Sequence, residues 1–365
     1  MSLKGLRTRL EELPERFTSP AHDERVTSRV GRWLGIAFGL CFVTGLLSHG
    51  IQHPPSWFGW PAGPVWLYRV TQGVHVLSGI VAIPLLLAKL WSVYPKLFER
   101  PLARSALHAL ERGSILVLSG AALFELVTGL FNVAQNYLWG FYFPTLHYAV
   151  AWVAIGSILV HVAVKLPVIR RGLAGSIDGS RRRFLRTTWL GAGVAFVATA
   201  GVTVPLLRSV SVLSWRSARG LPVNRTAAAA GIEVPAGWRL EVVGPRRMSL
   251  SLADLAALPQ TTAELPIACV EGWSASASWT GVRIRDLLDA VGAPAGTAVQ
   301  VYSLERSGLY STSTLPATHT AATLLALRLD GEELTPDHGY PCRIIAPNRP
   351  GVLQTKWVTR LEVVA

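Results

Sequence analysis

The chain has 365 residues, of which 50% are hydrophobic and only 16% are charged. Its mean hydropathy of +0.36 is too high for an ordinary water-soluble protein, so part of the chain is predicted to lie in lipid. The net charge is +13, but the basic residues stand beside apolar runs, which argues against nucleic-acid binding. Three cysteines exclude a disulfide framework and leave open one Cys269–Cys342 bridge.

Five apolar runs are each about long enough to cross a hydrocarbon core as a helix. They lie near residues 32–48, 70–91, 114–131, 144–164 and 187–207. Lysines and arginines concentrate before the first run, between the second and third, and between the fourth and fifth, while the other connections nearly lack them, Arg69 being the main exception. By the positive-inside bias, the N-terminus is cytoplasmic and the region after Leu207 lies outside.

A basic motif, Ser180-Arg181-Arg182-Arg183-Phe184-Leu185-Arg186, stands directly before the fifth run. It resembles a twin-arginine export signal, and its alternative interpretation is a basic anchor that flanks the span. The signal would imply that the last domain is exported already folded, with its cofactor bound. We favour a fifth helix that is retained as an anchor.

Three histidines within the apolar runs are candidates for function, because a histidine in hydrocarbon is costly unless it is bonded. His75 lies in the second run, and His147 and His161 lie in the fourth. His147 and His161 are fourteen residues apart, close to four helical turns, so they share one helix face about 21 Å apart. This spacing suits two hemes that lie at different depths in the membrane.

Residues 30–168 resemble the four-helix cytochrome b561 type of membrane domain. The resemblance implies one or two b hemes, with His75 and His147 as ligands of the outer one. It also implies an inner heme that is held by His161 and a first-helix histidine, but Arg32-Trp33-Leu34 stands at the expected place. His161 therefore holds the inner heme together with His108, or it faces a quinone headgroup instead. His49 and His53 are alternative outer heme ligands or interfacial residues.

The region after a polar, alanine-rich linker near residues 216–230 has short alternating runs separated by glycine and proline. The pattern predicts strands at 238–243, 299–302, 342–346 and 356–364. It also predicts short helices at 250–257, capped by Ser249, and at 284–291, closed by Gly292. These elements indicate an α+β, β-rich domain.

Three stretches of this domain, in order, resemble the sulfite oxidase-like molybdopterin domain. They are Cys269-Val270-Glu271-Gly272-Trp273, Gly308-Leu309-Tyr310-Ser311-Thr312-Ser313, and Asp337-His338-Gly339-Tyr340-Pro341-Cys342-Arg343 with Lys356-Trp357 after it. The chain is thus predicted to contain a cytoplasmic segment (1–29), a heme membrane domain (30–168), the basic motif with a fifth helix and linker (169–230), and a molybdopterin-binding domain (231–365). The predicted fold is an all-α transmembrane bundle followed by this α+β domain.

The resemblance implies roles for six residues of these stretches. Cys269 would be the molybdenum ligand, because molybdenum in a high oxidation state prefers a soft thiolate. Arg343 and Lys356 would neutralise the pterin phosphate, and His338 and the backbone at Gly339 would bond the pterin ring. Tyr310 would face the substrate. The alternatives are an inert or disulfide-bonded Cys269 and solvated or core-packed roles for the others.

The sequence as a whole predicts a molybdopterin-dependent oxidoreductase of a bacterial cytoplasmic membrane. Its catalytic domain on the outer face would exchange electrons through heme b with the quinone pool. The substrate would be a small molecule such as a sulfur oxyanion or a sulfoxide. Val270-Glu271-Gly272 replaces the arginine-rich pattern that follows the cysteine in animal sulfite oxidases, which favours a substrate other than sulfite. The alternative is a heme-b electron carrier or assembly protein whose outer domain has lost its metal.

Overall fold

A computed structural model describes residues 18–97, 105–214, 220–306 and 308–364. The first seventeen residues of the predicted cytoplasmic segment and residues 215–219 of the predicted linker lie outside the described residues. The chain divides into two compact units. The first comprises Met1–Leu46, Val74–Ala200 and Val210–Val212, and the second comprises Leu47–Gly73, Gly201–Ser209 and Leu213–Ala365.

Among the described residues, four helices are long and apolar enough to cross a membrane. They are α1 (Glu24–Gln52), α2 (Leu67–Val93), α3 (Ala106–Val133) and α4 (Phe143–Ala174), which confirms four of the five predicted helices. The fifth helix, α5 (Gly179–Ala200), is present but is not among these four. Its first turns hold the basic motif, which lowers its apolar content, so its role as a span stays a prediction.

The core of the first unit is made of small and medium side chains. Ala37 and Phe38 of α1, Ala82 and Leu86 of α2, and Ala122 of α3 form one buried cluster. Small side chains allow membrane helices to approach closely, where packing rather than water exclusion drives association. Large apolar side chains such as Leu116 and Leu159 remain exposed on the outside of the helices, a pattern that is typical of helices in contact with lipid tails.

The second unit contains two five-stranded sheets. Its strands are β1 (Leu240–Val243), β2 (Arg247–Leu250), β3 (Thr261–Ala268), β4 (Ser274–Arg283), β5 (Val299–Ser303), β6 (Thr312–Leu315), β7 (Leu324–Leu329), β8 (Glu332–Glu333), β9 (Arg343–Ile345) and β10 (Val358–Val363). The first sheet has the order β2-β1-β10-β5-β6, with β1 and β10 parallel. The second has the order β3-β4-β7-β8, and β9 pairs with β7. The four predicted strands are confirmed within two residues at each end.

Short helices connect these strands. They are α6 (Leu252–Ala257), α7 (Ile284–Ala290) and α8 (Ala317–Thr320). The predicted cap at Ser249 is wrong, because Ser249 belongs to β2 and Ser251 instead accepts a hydrogen bond from the Asp254 N–H. Gly292 follows α7 with a φ of +75°, a left-handed value that favours glycine, so the predicted end of this helix is confirmed.

The chain between α1 and α2 belongs to the second unit, where Asn348 holds it with three hydrogen bonds. The Asn348 side chain accepts from the Tyr68 N–H at 2.6 Å and donates to the Pro61 carbonyl at 2.7 Å. Its own carbonyl accepts from Trp60 Nε1 at 2.8 Å. Asn348 is 2% exposed and has a φ of +58°. Residues 47–73 are therefore an integral part of this unit.

Replacing Asn348 by glycine is expected to lower the free energy of unfolding by about 1–3 kcal/mol, because it leaves the buried Tyr68 N–H without its acceptor. Glycine tolerates the left-handed backbone, so strain does not contribute. Denaturant unfolding of the purified chain measures the effect. Gln135→Gly, at another left-handed position, is the control for the glycine itself. Equal stability of both variants and the wild type would show that the Asn348 side chain does not stabilise this segment.

Candidate functional site

Cys269 lies in the tight connection between β3 and β4. Its N–H donates to the Trp273 carbonyl at 2.9 Å, and the Gly272 N–H donates back to the Cys269 carbonyl at 3.0 Å. Gly272 has a φ of +91°, which only glycine adopts without strain, so the sequence Cys-Val-Glu-Gly-Trp closes this turn. The turn fixes the Cys269 backbone, and the side chain is 1% exposed.

The surroundings of the Cys269 thiol disfavour its anionic form. Burial raises its pKa well above the ordinary value, and the Glu271 carboxylate adds to this. Glu271 Oε2 lies 3.6 Å from Cys269 Sγ and also accepts a hydrogen bond from Trp273 Nε1 at 3.1 Å. A bound metal cation reverses this preference, because a coordinating thiol loses its proton. Cys342 is likewise a free cysteine, so the bridge that the sequence left open is not formed.

A cavity opens beside Cys269, and its space, including the part open to solvent, is about 310 Å³. Its lining contains two cations, one imidazole and one carboxylate in addition to the thiol. The lining residues are Leu221, Pro222, Val223, Asn224, Ile267, Cys269, Trp273, Asp337, His338, Arg343, Gly351 and Lys356. The structure thus brings Cys269, His338, Arg343 and Lys356, all predicted from the sequence, to one cavity.

Arg343 is the more deeply buried of the two cations, with 5% exposure. Its guanidinium donates to the carbonyls of His338 at 3.0 Å and Gln354 at 3.3 Å, and it lies over the Trp279 ring. Its Nε has no partner among the described residues, and burial lowers its pKa to about 9. A guanidinium that is bonded only to carbonyls carries an uncompensated charge, which an anionic group in the cavity would neutralise.

His338 and Gly339 form the wall between these cations. The Thr335 side chain contacts His338 Nδ1 at 2.8 Å, and His338 Nε2 lies 3.2 Å from the Leu221 carbonyl. Gly339 has a φ of +111°, and a Cβ there would lie 3.1 Å from the Cβ of Arg343 and 3.2 Å from that of Lys356. Gly339 is therefore required for the close packing of the two basic side chains, whereas its predicted contact with the pterin stays a prediction.

Lys356 is half-buried, and its pKa is lowered to about 8 by burial and then by Arg343, while Asp337 and Glu305 act in the opposite direction. The folded chain therefore holds this proton less tightly than the unfolded chain, whose lysine pKa is about 10.4. The cofactor-free chain is expected to gain stability as the pH rises from about 8 towards 10. Thermal unfolding of the wild type and Lys356→Met across this range measures the gain, which the variant should lack. A difference in stability between the wild type and Lys356→Met that does not change with pH would contradict this prediction.

The fit of this cavity to a molybdopterin rests on its donors. A thiol for the metal and two cations for a phosphate face the same space. Gly351 makes room beside the thiol, because a Cβ there would lie 3.1 Å from Ile267 Cγ2 and 3.5 Å from the Cys269 Cα. The orphaned Arg343 Nε is a further unused donor. The residues present therefore fit the group.

Tyr310 is not brought to this cavity. It packs against a separate cluster of Ile51, Tyr68, Ala268 and Leu353, and its hydroxyl donates to Gln52 Oε1 at 3.3 Å. Its predicted contact with substrate therefore stays a prediction. Sequence reasoning also missed residues 221–224 as part of the lining, because they lie in the predicted linker and contact the cavity only through long-range folding.

The first unit contains a second group of polar side chains around His75 and His147. Their ring centroids are 6.4 Å apart. His75 Nδ1 contacts the Cys41 carbonyl at 2.8 Å, and Thr128 Oγ1 contacts His147 Nδ1 at 2.9 Å. Contacts of this kind fix the ring orientation of a metal-binding histidine and leave Nε2 for the metal.

Glu125 was not singled out in the sequence, but its Oε2 lies 3.2 Å from His147 Nε2. The sequence feature that could have identified it is a carboxylate within an apolar run. His161 is half-buried in α4 and interacts electrostatically with Lys165 and Glu111. His49 lies with its ring centroid 5.0 Å from that of His53.

Comparison with known proteins concerns chiefly the second unit. Residues 227–365 match the family described as the oxidoreductase molybdopterin binding domain. An uncharacterized oxidoreductase, YuiH, of Bacillus subtilis is 32% identical over 146 residues, which cover 39% of this chain and 72% of that protein. The chain belongs to the oxidoreductase molybdopterin-binding family.

Two further proteins are similar to parts of this chain. A putative protein-methionine-sulfoxide reductase subunit, YedZ1, of Azospira oryzae is 32% identical over 130 residues, 35% of this chain and 49% of that protein. Sulfite oxidase of Arabidopsis thaliana is 33% identical over 114 residues, 26% of this chain and 29% of that protein. The chain thus spans about half the length of the former and less than a third of the latter.

Family membership confirms the predicted molybdopterin-binding domain and the predicted class of enzyme, a molybdenum cofactor-dependent oxidoreductase. The molybdopterin-binding domain occupies the β-rich part of the chain, as predicted. The basic motif lies at the start of α5, where Arg181 pairs with Asp178 and Asp23. Its role in export, the cytochrome b561 resemblance and the hemes stay predictions.

Proposed function

We propose that this chain is a membrane-bound enzyme that reduces a small sulfoxide at a molybdenum centre held by Cys269, with electrons that heme b relays from quinol. The observation that carries the proposal is the cavity that unites the Cys269 thiol with Arg343, Lys356 and His338. The four long apolar helices support a membrane location. With α5 as a fifth span and the N-terminus on the cytoplasmic side, the catalytic domain would lie on the outer face of a bacterial cytoplasmic membrane.

Each polar residue of the cavity would bind a different part of the molybdopterin. Cys269 would supply the protein ligand to the metal, and Arg343 and Lys356 would bind the phosphate of the pterin. His338 would contact the pterin ring, which fixes the position of the metal relative to the thiol. The bound cofactor supplies two-electron chemistry with transfer of an oxygen atom.

His75 and His147 would hold a b heme in the first unit. The 6.4 Å between their ring centroids allows both imidazoles to be ligands of one iron. Glu125 stands at Nε2 of His147 and would have to turn aside when that nitrogen binds iron. His161 would belong to a second heme level or to a quinone site, and His49 would be an alternative outer ligand.

The charge beside the thiol favours a neutral sulfoxide over an anionic sulfite as the substrate. Glu271 places a carboxylate 3.6 Å from Cys269 Sγ, and a negative charge there repels an oxyanion such as sulfite. A neutral sulfoxide is not repelled. The balanced reaction is sulfoxide plus quinol giving sulfide, quinone and water. A relative named as a methionine-sulfoxide reductase subunit supports this choice over sulfite oxidation.

The purified chain, loaded with its cofactors, tests the direction. We expect quinol-dependent reduction of a sulfoxide such as methionine sulfoxide, and little reduction of quinone by sulfite. Glu271→Gln should raise whatever sulfite activity exists, because it removes the repelling charge. Rapid sulfite oxidation by the wild type, without sulfoxide reduction, would overturn the proposed direction.

A further inference from the structure

Two arginines of the second unit depart from the charge pattern of the outer connections. Arg69 lies in the first turn of α2, and Arg208 follows the short helix Pro205–Leu207. Arg69 stands at the end of a connection that otherwise lacks basic residues. Neither lines the cavity at Cys269. The proposed oxidoreductase activity therefore does not account for them.

The two guanidinium groups converge on one strand. Arg208 donates to the Ser274 carbonyl at 2.6 Å, and Arg69 donates to Ser276 Oγ at 2.7 Å. Ser274 and Ser276 are two residues apart in β4, so their side chains lie on the same face of the sheet. The Ser274 N–H also donates to the Val202 carbonyl at 2.9 Å, which brings residues 202–208 against this strand.

Four polar groups around this point have no partner among the described residues. They are Arg69 Nε, Arg208 Nε, Ser274 Oγ and Thr203 Oγ1. Ser274 is 2% exposed and Thr203 is 3% exposed, so water does not replace the missing partners. A Cβ on Gly73 would lie 2.6 Å from Thr203 Oγ1, and Gly73 is one helical turn after Arg69, which places Thr203 at the same face of α2.

The charge of these arginines is also uncompensated. Within the described part of the chain, neither guanidinium forms an ion pair with a carboxylate, although Glu264 interacts electrostatically with Arg69. Two adjacent cations with spare donors, together with two buried hydroxyls, match the oxygens of a tetrahedral anion. The neighbouring Trp66 is exposed and is a side chain typical of the level of lipid headgroups.

We propose that Arg69, Arg208, Ser274 and Thr203 form a binding site for a phosphate group, separate from the cavity at Cys269. Arg69 and Arg208 neutralise the charge, and the hydroxyls of Ser274 and Thr203 donate to its oxygens. The phosphate belongs either to the headgroup of an anionic phospholipid or to free inorganic phosphate. Either source presents the same oxygens to the same donors.

Binding to the full-length purified chain tests the site. Native mass spectrometry measures retained phosphatidylglycerol against phosphatidylcholine, and thermal unfolding in detergent measures stabilisation by inorganic phosphate. The variant is Arg69→Gln with Arg208→Gln. The matched control is Arg283→Gln with Arg328→Gln, which removes the same charge from exposed positions of the same unit.

The wild type and the matched control are expected to bind one of the two probes at least about 10-fold more tightly than the variant. Preference for phosphatidylglycerol identifies the lipid headgroup, and stabilisation by phosphate identifies the free anion. Equal binding of both probes by the wild type and the variant overturns the proposal. Molybdenum content is expected to be the same in all of these proteins, so failure of this site is distinguishable from failure of the proposed function.

Discussion

Replacing Cys269 by serine is expected to lower turnover by more than about 100-fold, because a hydroxyl is a harder and weaker ligand than a thiolate for a high-valent metal. The heme absorbance should be unchanged, since the hemes are proposed to lie in the first unit. Substrate-dependent oxidation of a reduced dye measures the loss, and the visible spectrum measures the heme.

Cys342→Ala is the matched control for this experiment. Cys342 is as deeply buried as Cys269, but its Sγ contacts the Val358 carbonyl within the other hydrophobic cluster and does not line the cavity. The control should lose about 1–2 kcal/mol of stability and retain its activity. Full activity of Cys269→Ser would contradict the assignment of the metal ligand.

Replacing His75 or His147 by leucine is expected to abolish heme absorbance and quinol-dependent turnover. The physical reason is that each imidazole would supply a nitrogen ligand to the heme iron, and leucine supplies none. Activity with an artificial dye that donates electrons directly to the molybdopterin-binding domain should remain within about two-fold of the wild type, because Cys269 and its cavity are unchanged.

His53→Leu is the control for the loss of a histidine. His53 is exposed, and its ring contacts that of His49. Heme content and quinol-dependent activity should match the wild type if both histidines are interfacial residues. Unchanged heme content in the His75 and His147 variants would place the ligands elsewhere, and loss of heme in His53→Leu would move the outer ligand to this pair.

The helices and strands could be predicted because their signals are local. Apolar length fixes α1 to α4, and the alternation of short runs between glycines fixes β1, β5, β9 and β10. The cap of α6 was misplaced by two residues because both Ser249 and Ser251 are followed by a helix-forming run. Only the continuation of β2 to Leu250 decides between them.

The candidate site was partly predictable for a related reason. The residues of the Cys269 turn and of the His338 to Arg343 segment are each contiguous, so a motif reveals them together. Contacts between distant segments leave no such signal. Asn348 with Tyr68, residues 221–224 beside Cys269, and Arg69 with Ser276 are brought together only by the tertiary fold.

Joint quantification of molybdenum and heme iron in the purified wild-type chain tests the central claim most directly. We predict about one molybdenum per chain, released with a pterin on denaturation, together with at least one b heme. The same measurement on Cys269→Ser should show heme at the wild-type content. A wild-type chain that contains heme iron but no molybdenum would contradict the account and would identify an electron carrier or assembly protein instead.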